Sequence, residues 1–448
     1  MEQSDIDIDN SNLISEFIKL NLHIKPKEKK QFGEVFTPEP LINEMLDQIP
    51  KDIWSNPDLR WFDPAVGIGN FMLVVYQRLM KGLKIADKNE RRTHIIKNML
   101  YMSEINENNI KECYKCGFMN IYTGDTLKMP KDYFGFEKFD VIVGNPPYNK
   151  GGIRSYTGKH LGQKNETVWP KFIENSFELL KPNGYLTFIN PLSWLRKSHS
   201  VHNLLLEKHI IWMKLWDGAQ SKKIINASIP LSLYLLQNKL NINKKNTEII
   251  SILKGQKLTY TSNEYLNKNY SIPFAYHSIY NKIINFIETN HLKLEFKTKT
   301  IKSSGIKTAI PLNYKLKDML AIDTYTIKEG ILIKKAIEIH PDADKRKIII
   351  ANKTSFKGAF IDDGKLSLTG SHKFYITGDN LELIIKMLNF KIITVISNNV
   401  KYGQSFLDNQ AFVYIPDIRK MGLKDIEEEE LYKLIGLTIK EKELIKNS

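Results

Sequence analysis

Asn145-Pro146-Pro147-Tyr148 is a short turn with the groups for one kind of chemistry. The Asn145 side-chain oxygen and the Pro146 carbonyl are two acceptors. Together they can hold both N–H groups of a planar amino nitrogen such as adenine N6. An amino group held in this way becomes pyramidal and nucleophilic, so the motif suits transfer of a group to a weak nucleophile. Tyr148 offers a ring on which a base can stack. As a bare tetrapeptide it is equally a proline turn, since Asn-Pro starts turns, and its neighbours decide between the two. It directly follows Phe139-Asp140-Val141-Ile142-Val143-Gly144, an apolar run that reads as a strand.

Three further groups of residues point to a nucleoside-like cofactor. Asp63-Pro64-Ala65-Val66-Gly67-Ile68-Gly69-Asn70-Phe71 ends a first strand and opens a helix. Glycines at such a turn let a ligand approach the backbone. The third glycine of the dinucleotide fingerprint is missing, which disfavours NAD and leaves room for a ligand without a pyrophosphate, such as S-adenosylmethionine. Glu104 ends a second strand, where a carboxylate can hold a ribose diol or simply face solvent. Asp125 follows a third strand and either accepts from an adenine amino group or starts a turn. Upstream, Phe36-Thr37-Pro38 reads as a helix start, with proline at the first helical position.

The elements that must position these residues are strands alternating with helices. Strands are expected at 60–64, 99–104, 118–122, 139–144 and 185–190, with helical patterns around 71–76 and 169–174. This alternation predicts an α/β fold, Rossmann-like, with a mostly parallel sheet. The runs 210–216 and 229–236 are spaced to pair as an antiparallel edge hairpin. Near Asn238 to Asn246 the alternation stops in a polar, lysine-rich run. The expected organisation is therefore an N-terminal extension (1–30), a catalytic domain (31–240) and an α+β C-terminal domain (241–448). The close of the chain reads as a glutamate-led helix start at 426–431 and a lysine-rich amphipathic helix, 432–446.

Composition narrows the class. Lys+Arg of 65 against Asp+Glu of 50 gives a net charge of +15, a footprint that fits a polyanion or reflects a Lys-, Ile- and Asn-rich coding bias. The two cysteines, Cys113 and Cys116, make a single Cys-x-x-Cys, too few for a four-ligand zinc site. No metal is expected. No membrane span or signal-peptide pattern is present, so the expected location is the cytoplasm. Of the histidines, only His160 and His199 merit attention.

In their order along the chain, Phe36-Thr37-Pro38, Asp63-Pro64-Ala65-x-Gly67-x-Gly69-x-Phe71, Glu104, Asp125 and Asn145-Pro146-Pro147-Tyr148 resemble the gamma group of N6-adenine DNA methyltransferases of restriction–modification systems. Trp169-x-x-Phe172-Ile173-Glu174, Leu179 to Asn190-Pro191 and Ser193-Trp194-Leu195 also resemble that group. In the second half, Gly305 to Thr308 and Ile348 to Asn352 loosely resemble segments of its target-recognition domains. The resemblance implies an S-adenosylmethionine-dependent methyltransferase domain followed by a DNA target-recognition domain. Phe36, Thr37, Pro38, Asp63, Ala65, Gly67, Gly69 and Phe71 would then surround the cofactor, along with Asn145. Glu104 would take the ribose and Asp125 the cofactor adenine. Asn145, Pro146, Pro147 and Tyr148 would be catalytic. The sequence departs from the family at 222–229, where an aromatic residue for the second face of the base is often found and none stands here.

A duplex base must be flipped out to reach such a site. Lys150, Arg154, Lys159 and Lys164 follow Tyr148 and are candidate phosphate contacts. Arg346, Lys353, Lys357, Lys373 and Gln404 are candidate base readers. The implied partner is double-stranded DNA, with the chain acting as a monomer and any endonuclease a separate protein. The same chemistry also suits RNA or a protein glutamine amide. A DNA-binding subunit without catalysis is the reading from another class, and the intact motif set opposes it.

Overall fold

The computed structural model of the chain describes residues 6–21, 36–149, 166–241, 246–261, 266–298, 300–301, 303–310, 320–326, 330–336, 340–351, 356–368, 373–402, 407 and 409–448. It divides into two compact units. The first is Met1–Trp194 with Ser198–Lys268, and the second is Leu195–Lys197 with Asn269–Ser448.

The first unit opens with α1 (Ser11–Leu20), whose cap Asn10 accepts from the backbone N–H groups of Asn12 and Leu13. Ile14 and Ile18, four residues apart, share one buried face. There follow α2 (Glu39–Leu46), β1 (Trp61–Asp63), α3 (Asn70–Gly82), α4 (Lys88–His94), β2 (Leu100–Glu104), α5 (Glu107–Lys115), β3 (Ile121–Thr123), β4 (Phe139–Gly144), α6 (Trp169–Leu179) and β5 (Leu180–Pro191). The unit closes with α7 (His202–Leu206), β6 (Lys208–Trp216), α8 (Gly218–Ile225), β7 (Leu231–Leu240), β8 (Glu248–Leu253) and β9 (Gln256–Thr261).

These strands form one nine-stranded sheet in the order β3-β2-β1-β4-β5-β7-β6-β8-β9. From β3 to β5 every neighbouring pair is parallel. Strands buried on both faces read as continuous apolar runs, and β1 (Trp-Phe-Asp) is fully buried along its length. The chain order reverses between β1 and β4. That is the topological switch point, where open α/β sheets bind ligands beyond the carboxyl ends of their strands.

The antiparallel pairing of β6 with β7 agrees with the hairpin expected from sequence, but the pair is not at the edge. β8 adds to β6 in parallel and β9 pairs with β8, making β9 the edge strand. The polar run after β7 is thus a connector within the first unit, which continues to Lys268 rather than ending at 240. Residues 6–21 also belong to this unit: Ile8, Ile14 and Ile18 pack in one core with Trp61, Met72, Val75, Leu100 and Val141.

The second unit mixes helices with two small sheets, an α+β arrangement. It contains α9 (His277–Thr289), β10 (Ser303–Ile310), β11 (Leu320–Thr326), β12 (Gly330–Ala336), β13 (Arg346–Ala351), β14 (Phe360–Asp363), β15 (Leu366–Leu368), β16 (Lys373–Thr377), α10 (Leu381–Leu388), α11 (Lys391–Asn399), α12 (Glu428–Ile435) and α13 (Ile439–Lys446). The sheets run β10-β12-β11-β15 and β14-β13-β16. Beside β13 lies a buried ion pair, Lys347 Nζ to Asp362 Oδ2 at 2.6 Å, which also ties the Ala343 and Lys345 carbonyls. The closing segment is two helices rather than one. Gly436, in the left-handed conformation, ends α12, and Thr438 with Glu441 forms a capping box for α13.

Candidate active site

Asp63 ends β1, Glu104 ends β2, Asp125 lies two residues beyond β3 and Asn145 directly follows β4. Because β3, β2, β1 and β4 are adjacent and parallel, all four residues lie along the same carboxyl edge. Parallel pairing alone thus gathers side chains that are far apart in sequence.

The loops are fastened to each other. Glu104 Oε2 accepts from the Gly67 N–H at 2.7 Å, while Oε1 accepts from Ile105 and Asn106 at 2.9 and 2.8 Å. The Thr126 hydroxyl donates to the Pro64 carbonyl at 2.5 Å and meets the Ser103 hydroxyl at 2.6 Å. Asp125 Oδ1 accepts from Leu127 N–H at 3.2 Å, so it starts the short turn that carries Thr126. Cys113, a buried free thiol on α5, donates to the Gly67 carbonyl. Burial pushes the thiols of Cys113 and Cys116 up, Cys116 to about 12, so neither is a thiolate at neutral pH.

The glycines leave room for close approach. Gly67 and Gly69 have φ of 58° and 98°. A Cβ on Gly67 would meet the Phe36 ring at 3.2 Å, and one on Gly69 would meet Phe118 at 3.1 Å. A Cβ on Gly144 would stand 2.7 Å from Asp63 Oδ1. Asp63 is buried, and its Oδ1 accepts from Ala65 N–H at 3.0 Å. Burial raises its carboxyl to about 8, against the lowering effect of the Ala65 N–H, and nearby Glu104 adds to the rise. Phe71 lies in the core of the unit, so its ring packs α3 against the sheet.

The Phe36-Thr37-Pro38 segment does not act as a side-chain cap. Helix α2 begins at Glu39 with Pro38 at the capping position and no side-chain cap bond, and Pro40 is the proline inside its first turn. Thr37 is buried and used elsewhere. Its carbonyl accepts from Asn70 Nδ2 at 3.2 Å, and its hydroxyl oxygen accepts from Asn145 Nδ2 at 3.3 Å. Asn145 Oδ1 accepts from the Tyr148 hydroxyl at 3.0 Å. The Tyr148 carbonyl accepts from Val168 N–H, setting the start of α6 beside the motif. Tyr148 packs against the core, and burial pushes its phenol above the ordinary range.

Thr126 and Asn70 fasten neighbouring loops to each other, and the sequence reading did not single them out. Both act through partners more than thirty residues away, and single-sequence spacing carries no signal for that. Lys150, Arg154, Lys159, Lys164, His160, Lys353 and Gln404 lie outside the described residues, as does the side chain of Lys357. Arg346 is committed to Asp363 and Glu382 by ion pairs, and Lys373 is buried. Burial removes Lys373 as a reader of an outside base, whereas Arg346 is exposed and its partners are exposed carboxylates. His199 stacks on Trp169 at 4.7 Å between ring centroids. At the departure from the family pattern, Ile229 is an exposed aliphatic residue preceding β7.

The sheet order and the reversal at β1/β4 define an open, mostly parallel α/β sheet with its switch point beside the strand-end residues. Residues 81–221 match the Eco57I restriction-modification methylase family. An uncharacterized adenine-specific methylase of Mycoplasma pneumoniae is 25% identical over 253 residues, covering 39% of this chain and 58% of that protein. A putative type II restriction enzyme and methyltransferase of Methanocaldococcus jannaschii is 45% identical over 62 residues, covering 13% of this chain and 5% of that protein. The chain thus matches less than two thirds of the length of either relative. Among solved structures, the fold is similar to the type IIL restriction-modification enzyme MmeI in complex with DNA. That match has a TM-score of 0.52 and 12% identity, over 90% of this chain and 70% of that one.

Proposed function

We propose that the protein is a site-specific DNA methyltransferase that transfers a methyl group from S-adenosylmethionine to N6 of a flipped-out adenine in double-stranded DNA. The carrying observation is the placement of Asn145-Pro146-Pro147-Tyr148 at the end of β4, hydrogen-bonded through Asn145 to Thr37 beside the glycine loop. A donor site and an acceptor for an amino group thereby share one strand edge.

The residues fit the donor. The Gly67–Gly69 loop packs so closely on Phe36 and Phe118 that a Cβ would crowd them, and the acidic pair Asp63 and Glu104 beside it suits a ligand with cationic groups and a ribose. Asp63, the glycine loop and Phe36-Thr37-Pro38 would hold the methionine end, Glu104 the ribose and Asp125 the adenine. S-adenosylmethionine, when bound, supplies an already activated methyl group. The protein's part is therefore orientation and charge stabilisation. Asn145 Oδ1 and the Pro146 carbonyl accept the two amino N–H groups and aim the nitrogen lone pair at the methyl carbon. Tyr148 stacks on the base, and its hydroxyl and the Thr37 hydroxyl hold the Asn145 carboxamide. On accepting the methyl group, with the carbon–sulfur bond broken and the donor leaving as a neutral thioether, the nitrogen would be cationic and would release one proton to solvent.

The second unit supplies target recognition in this reading, and the basic chain supplies phosphate contacts. The protein acts as a monomer in the cytoplasm, as the modification component of a restriction–modification system or a solitary equivalent.

The test is nucleoside mass spectrometry of unmethylated DNA incubated with the protein and S-adenosylmethionine, with Asn145→Ala alongside. N6-methyladenine is expected, falling at least about a hundredfold in the variant. Donor binding without any methylated base on varied DNA would reject the assignment and redirect it to RNA or protein amides.

A further inference from the structure

Asn70 is the first residue of α3 but does not cap it. Gly69 holds the capping position in the left-handed conformation, and no side chain caps the first turn. The Asn70 carboxamide is committed instead to the Thr37 carbonyl, 3.2 Å away and 33 positions earlier. Its Oδ1 is buried with no hydrogen-bond partner among the described residues. An orphaned buried acceptor is destabilising, a penalty that alanine at this position would not carry. From Thr37 the line continues through its hydroxyl oxygen to Asn145 Nδ2, and from Asn145 Oδ1 to the Tyr148 hydroxyl. One run of hydrogen bonds therefore joins the residue behind the glycine loop to the group that receives the amino nitrogen.

We propose that Asn70 is a positioning residue that couples the two binding sites. Through Thr37, the setting of the Asn145 carboxamide follows the conformation of the Gly67–Gly69 loop. Filling the cofactor site then tightens capture of the flipped adenine, and by linkage the reverse holds. The inference rests on reading the site as an amino-methyltransferase. A purely structural staple between α3 and Thr37 would lose stability when cut but would not connect the two binding events.

The test uses the full chain, Asn70→Ala and Asn70→Asp. The probe is a duplex carrying the sequence at which the protein methylates DNA, located by methylation-sensitive sequencing of the modified product, with 2-aminopurine next to the target adenine. Its fluorescence reports flipping, and S-adenosylhomocysteine serves as the unreactive occupant of the cofactor site. In the unaltered protein, saturating S-adenosylhomocysteine is expected to tighten duplex binding about tenfold, within the usual range of coupling between sites. In both variants the tightening falls below about twofold, while each ligand alone binds within about threefold of the unaltered protein. Asn70→Asp keeps the shape but sets an acceptor against the Thr37 carbonyl, so it behaves as Asn70→Ala does. Coupling that survives in either variant, or is absent from the unaltered protein, overturns the inference. Loss of both separate affinities together with a lower melting temperature also overturns it, since that is the mark of a staple. If the unaltered protein methylates no DNA, the functional reading has failed, and this inference falls with it.

Discussion

At the residue scale, the site depends on side chains whose state is set by burial. Asp63 sits where a cationic ligand would need a carboxylate, yet burial, opposed by the Ala65 N–H and reinforced by Glu104, raises it to about 8. Near neutral pH it therefore holds a proton in the free protein. Donor affinity is expected to rise with pH up to about 8, with proton release on binding below that point. Calorimetry at pH 7 in two buffers of different ionisation enthalpy should give different heats, and Asp63→Asn should abolish the difference. The same shift acts on stability. The folded form binds more protons than the unfolded form between the ordinary 3.8 and about 8, so Asp63 contributes less stability as pH rises through that window. The urea midpoint of Asp63→Asn should gain on the unaltered protein between pH 5 and pH 8; a constant difference would mean that Asp63 titrates normally. The residue types at 63, 104 and 145 were legible because each stands behind an apolar run. The Thr37 hydroxyl was not, because its partner is 108 positions away.

At the element scale, the sequence announced the parallel half of the sheet. Strands β1, β2 and β4 end on chemistry-bearing residues, and their apolar runs are continuous. It did not announce β8, an equally apolar run behind a polar connector, because parallel pairing with β6 is a non-local fact that composition does not encode. The role of α1 was not visible: residues 1–30 read as an extension, because the sequence does not say what the buried face of Ile14 and Ile18 covers. In the structure Ile14 is fully buried, and Asp9 beside the helix accepts from the Tyr76 hydroxyl and pairs with Lys88 and Arg92. Burial works to raise the Asp9 carboxyl, but the Tyr76 bond and the two cations overcome it and hold the carboxyl below its ordinary range. This helix is therefore part of the core of the first unit. Ile14→Ala should cost about 2–5 kcal/mol in urea unfolding, whereas Leu13→Ala, at an exposed position of the same helix, should stay within about 0.5 kcal/mol. Equal small effects would place α1 outside the cooperative core.

At the scale of the whole molecule, the question is what the charge of +15 is for. A polyanion footprint and a coding bias toward lysine predict the same composition but different salt behaviour. Part of the charge is internally committed in the second unit, where Lys347 is buried against Asp362 and Arg346 is bound to Asp363 and Glu382. The net excess still remains after such pairs, because each pair removes one charge of either sign. If that excess contacts phosphates, DNA affinity should fall steeply and linearly in log–log form, with a slope of about −0.9 per phosphate contacted. A footprint of about six or more contacts would lose on the order of a thousandfold between 50 and 200 mM salt, on specific and non-specific duplexes alike. S-adenosylhomocysteine binding, measured alongside, should change by less than about twofold, because a small ligand without phosphates carries no condensed counterions to release. A slope shallower than about −2 would mean that the lysines are spread over the surface without facing DNA. Recognition would then rest on base and shape contacts made by the second unit.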